Sequence, residues 1–173
     1  MRMSVKEDPS LGGTLTYDTK TATLSSGQWK HRGDWVLPFK GHAHYDHHLG
    51  AWVGLHRQSV YSDDASGYLC ACRVMSGWQP PKKEVGKEKL FLEDSHWRHV
   101  DGKLVYMRER GKYCLVEHLL PEGADKSMYV LCLTTFVVNY GEDGELSTTA
   151  NSPPHFYKAP SYCCSFDVQA FWM

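Results

Sequence analysis

Four side chains in the stretch GHAHYDHHLG (residues 41–50) have the types and spacing for metal chemistry. His42, His44, Asp46 and His47 follow the order H-x-H-x-D-H, and His48 adds one more imidazole. On an extended chain residues two apart share a face, so His42 and His44 would converge on one ion. Asp46 and His47 lie just beyond, where a turn would aim them at a second ion. Two ions a few ångströms apart would hold a hydroxide between them and polarise a carbonyl or phosphoryl group.

This pattern resembles the metal signature of the metallo-β-lactamase-type hydrolases, which would imply a metal-dependent hydrolase built on His42, His44, Asp46 and His47. Such a site needs further ligands downstream: a histidine, a bridging carboxylate and a last histidine. His118, Asp125 and His155 occur in that order. The elements that would have to position them do not match. His118 sits inside the apolar run CLVEHLL, and His155 follows two prolines in SPPHF. The hydrolase fold also needs several amphipathic helices and a first sheet ahead of the motif, and the sequence provides neither. The reading adopted is that His42 and His44 lie on one face of a strand beside Trp52, that YDHHLG is its turn, and that no metal or other cofactor is held.

Strand patterns dominate the rest. GTLTYDT (13–19), DWVLPF (34–39), AWVGLH (51–56) and GYLCACRV (67–74) are rich in β-branched and aromatic residues. KLVYM (103–107) and KYCLVEHLL (112–120) flank RERG, which reads as a hairpin turning at Gly111. MYVLCLTTFVVNY (128–140), HFYKA (155–159) and FDVQAFWM (166–173) complete the set. Only GKEKLFLEDSHW suggests helix, for two turns at most. The charged stretch KKEVGKEK (82–89) mixes signs after Pro80 and Pro81, so it reads as solvated loop. The whole segment 76–86 is expected to be a long loop between two antiparallel sheets. His96 and His99 read as surface residues.

Composition narrows the function classes. A net charge of −1, from 19 basic and 20 acidic residues, gives no field to draw nucleic acid or an anionic membrane. No apolar run approaches the ~18 residues that span a bilayer, and the first residues lack the apolar core of a secretory signal. The expectation is an intracellular protein, cytoplasmic or nuclear. In that reducing setting Cys70, Cys72, Cys114, Cys132, Cys163 and Cys164 read as free thiols, mostly buried. No G-x-S-x-G elbow or phosphate loop is present.

A longer pattern carries a family resemblance. Tyr17, Asp18 and Thr19 are followed by Trp29, then Gly33, Asp34, Trp35, Leu37, Pro38, Phe39 and Gly41. Tyr45, Asp46, Leu49, Ala51, Trp52, Val53, Gly54 and Leu55 continue it. The chain resembles a kelch-like family expanded in grasses, known as a domain of unknown function. The resemblance extends over nearly the whole chain and corresponds to the C-terminal half of full-length members. In that family pattern Tyr45 and Asp46 recur while the histidines are dispensable.

The resemblance implies an all-β fold of antiparallel meander sheets, a partial kelch-type β-propeller forming one domain over residues 1–173. It implies a non-catalytic protein-interaction module, since loops at one end of such blades bind proteins. The partner is a protein of unknown identity. Unpaired sheet edges would also permit self-association, and a truncated paralogue without activity is the remaining alternative. Trp35, Phe39, Trp52, Leu55, Tyr106, Leu115, Leu131 and Phe136 are expected to be largely buried.

Overall fold

In a computed structural model, the described residues are 13–17, 29–57, 67–73, 80–123, 129–150 and 152–159. Among them are eleven strands and no helix. β1 (Thr14–Tyr17) and β2 (Trp29–Gly33) form an antiparallel hairpin. β3 (Phe39–Asp46), β4 (Ala51–His56), β5 (Tyr68–Cys72) and β6 (Lys83–Lys89) form a four-stranded meander. β7 (Trp97–Tyr106), β8 (Lys112–Pro121), β9 (Val130–Tyr140) and β10 (Leu146–Ala150) form a second meander. β11 (His155–Lys158) extends that sheet by pairing with the first part of β9, on the edge that β10 occupies further along.

Alternation along the central strands decides how the sheets meet. In β4, Ala51, Val53 and Leu55 share one face and are all buried. With Leu69 and Ala71 of β5 they pack against Tyr113, Leu115, Phe136, Val138 and Leu146 of the second sheet. Each Leu or Val removed from water there contributes about 1.5–3 kcal/mol. β3 lies against β7, and β6 against β10. First strand meets first strand and fourth meets fourth, as in consecutive blades of a propeller. The fold is all-β, with antiparallel sheets of two, four and five strands, consistent with a partial propeller.

Two glycines are required by close approach. A Cβ on Gly54 would stand 2.8 Å from the Phe39 ring and 3.1 Å from Ala43 Cβ, because β3 bulges between Lys40 and Ala43 where it crosses β4. Gly111 closes the β7–β8 hairpin at a φ of +66°, and a Cβ there would meet the Val138 carbonyl at 2.5 Å.

Several expectations need correction. KKEVGKEK is largely strand: β6 is a charged edge strand, and the passage between the two large sheets runs through residues 90–96, not 76–86. Side chains there face water on an outer edge, so the period-two apolar signal never develops. GKEKLFLEDSHW holds the end of β6 and a turn, with no helix. Of DWVLPF only Phe39 is in a strand, because the backbone before it crosses the sheet as irregular chain. Phe39, Leu55, Leu115 and Phe136 are buried as expected, and Trp35, Trp52, Tyr106 and Leu131 are partly buried against the core clusters. The proposed strand FDVQAFWM, together with Cys163 and Cys164, lies outside the described residues.

Candidate functional site

Asp46 ends β3 and begins the turn into β4, and it is completely buried. Its Oδ1 accepts the backbone N–H of His48 at 2.8 Å and of Leu49 at 3.3 Å, the bonding of an Asx turn. Its Oδ2 accepts the Tyr113 hydroxyl of β8 at 3.1 Å. Both carboxylate oxygens are therefore engaged in holding the turn and tying one sheet to the other. Burial, with the Asp46 carboxylate beside it, raises the Tyr113 phenol far above its ordinary range, so it stays a donor.

The four residues of the histidine motif do not converge. His44 is half-buried, and its Nε2–H donates to the Leu104 carbonyl of β7 at 3.0 Å. Desolvation holds its imidazole below the usual histidine range; the Leu104 carbonyl opposes this and neighbouring His42 adds to it. His42 is exposed, within the bulged part of β3. His47, in the turn, is exposed and stands edge-on to Tyr45, ring centroids 4.9 Å apart. Tyr45 also meets Trp52 edge-on at 5.6 Å, across the β3–β4 pair. Tyr45 remains 41% exposed.

Of the downstream candidates, His118 is buried in β8, with its ring against Tyr129 at 4.6 Å. His155 is exposed on β11, and Asp125 lies outside the described residues. Among the described residues no group of three or more His, Cys, Asp or Glu side chains is placed to share a metal ion.

The sequence motifs that carry this geometry match one family model, described as "Protein of unknown function (DUF1668)", over residues 3–157. The chain belongs to the DUF1668 family. No curated protein and no solved structure matches it. Within this DUF1668 chain several residues of the motif-bearing stretch have visible structural work. Asp46 fixes a turn, Gly54 clears the path of Phe39, and Leu37 and Phe39 cover Cys70 and Cys72 on the outward face of the first sheet.

One buried polar cluster escaped sequence reasoning. Glu117 is 1% exposed on β8, and its Oε2 accepts the Leu92 N–H at 3.0 Å. His99 Nε2 approaches the same oxygen at 3.8 Å, and its ring stacks on Phe91 at 3.8 Å between centroids. His99 is thus half-buried, not a surface residue as its sequence context suggested. Burial raises the Glu117 carboxyl to about 7, partly offset by the Leu92 N–H. Burial lowers His99 to about 4, with Lys40 and His118 adding to this and Asp101 opposing it. The contact is therefore not an ion pair: the carboxyl keeps its proton up to neutral pH and the imidazole is neutral. An acid between Val116 and His118 in the run CLVEHLL was the available signal, because a strand buried on both faces leaves Glu117 no route to water.

Proposed function

We propose that this chain is a non-catalytic protein-interaction module of kelch type, two or more propeller-like blades from a plant family, acting inside the cell on a protein partner. The observation that carries this reading is the cluster of Tyr45, His47 and Trp52 beside the β3–β4 turn. Tyrosine and tryptophan that keep part of their surface in water, backed by a rigid sheet, are the usual anchors of protein interfaces. The turn beneath them is held by Asp46, so the cluster is presented without an ordering cost on binding. The near-zero net charge favours a protein over nucleic acid or an anionic membrane.

The Asp46 bonding argues in the same direction, because a hydrolase built on this motif would need that carboxylate at a metal. The test is quantitative affinity capture with the intact chain and with a Tyr45→Ala/Trp52→Ala variant of matched thermal stability. A partner retained by the first and lost by the second supports the proposal. Identical captured sets from both would contradict it.

A further inference from the structure

A cavity of about 420 Å³ opens on the outward face of the first sheet, at the His56 end of β4. Val36, Leu37, Pro38, Pro80 and Pro81 give it apolar walls. Its polar wall is made by His56 at the end of β4, Arg57 next to it, and Lys83 at the start of β6. The Arg57 N–H bonds the Pro38 carbonyl at 2.8 Å and fixes the two sides of the cavity together.

The polar wall is chemically unfinished. Both ring nitrogens of His56 are buried and neither has a hydrogen-bond partner. A buried imidazole nitrogen without a partner is unfavourable and calls for an explanation. Lys83 forms no ion pair among the described residues; burial first, and then the Lys83 charge, disfavour protonation of the His56 ring. An orphaned N–H donor and an unpaired ammonium therefore border one small apolar hollow.

We propose that this cavity binds a small apolar carboxylate, its anionic end between Lys83 and His56 and its hydrocarbon or aromatic body against the three prolines, Val36 and Leu37. A carboxylate accepts from the ammonium and from an imidazole N–H together, which answers both groups at once. Cavities of roughly 300–1,000 Å³ with apolar walls and a few converging polar groups are typical of small-molecule sites. A phosphate ester fits less well, since the apolar walls would leave most of its oxygens without donors. Tyr45, His47 and Trp52 do not line this cavity, so the proposal does not depend on them.

The experiment is an NMR titration of the full chain with benzoate, following the His56 ring resonances, alongside benzamide as the neutral isostere. The proposal predicts a saturable shift of the His56 signals with benzoate, and binding of benzamide roughly tenfold weaker or worse. Lys83→Met, on an exposed edge strand, should leave the thermal transition unchanged and weaken benzoate roughly tenfold. Absence of a saturable His56 shift, equal binding of acid and amide, or unchanged affinity in the Lys83 variant would each overturn it.

Discussion

The Tyr113 hydroxyl, in the second sheet, donates to the Asp46 carboxylate, in the first, across 3.1 Å and 67 positions of chain. The same carboxylate caps the β3–β4 turn through His48 and Leu49. One buried side chain thus sets a local turn and a contact between sheets. Tyr113→Phe should cost about 1–2 kcal/mol in urea unfolding, and Asp46→Ala about 3 kcal/mol or more, since it strands two N–H groups and a phenol. The double variant should cost less than the sum of the singles, with a coupling near 1 kcal/mol. Additive effects would mean the two do not act as a pair.

Gly54 sits where the Phe39 ring and the β3 bulge cross β4. Gly54→Ala is predicted to destabilise by about 1–3 kcal/mol through overpacking. Coupling it with Phe39→Leu, which withdraws the ring, should recover part of that loss. Equal penalties in both backgrounds would place the strain elsewhere.

Glu117 and His99 give opposite pH dependences. The folded carboxyl binds its proton up to about 7, against an ordinary 4.5, so its contribution falls as pH rises through that window. The folded imidazole resists protonation down to about 4, against an ordinary 6.5, so its contribution rises with pH over that range. The two nearly cancel between these limits. Glu117→Gln keeps an acceptor for the Leu92 N–H and removes the falling part. Relative to the parent, its stability should increase from pH 4.5 to 7 by up to about 3 kcal/mol. A parallel pair of stability curves would show that Glu117 titrates as an ordinary carboxyl.

Burial raises the thiols of Cys70 and Cys72 to about 12 and of Cys132 to about 11. These three should resist an aromatic disulfide reagent in the native protein and react fully once it is unfolded. Mapping the labelled peptides checks this residue by residue, and rapid native labelling of Cys70 or Cys72 would contradict the packing described beneath Leu37 and Phe39.

How far these features could be read from the sequence depends on the range of the forces involved. AWVGLH matches the bounds of β4 because its apolar run and the Gly50 before it are local signals. The Gly111 hairpin and the turn at Asp46 were legible for the same reason. β2 and β6 were not, since WKHRG and KEVGKEK carry charge on exposed strands and owe their conformation to the neighbouring strand. The Tyr113 bond to Asp46 and the Leu92 bond to Glu117 join distant segments, so no pattern within either segment announces them. The histidine motif misled in the opposite sense: its spacing suits metal, but β3 ends by burying Asp46 while the turn leaves His47 exposed beside Tyr45.

The central claim is that H-x-H-x-D-H here is a strand and a turn held by Asp46. Elemental analysis of the purified chain after dialysis against a mild chelator tests it most directly. The prediction is no stoichiometric zinc, with only weak ions lost on dialysis from the exposed imidazoles. Retention of one or more zinc ions per chain, abolished by His44→Ala along with a hydrolytic activity, would contradict the account.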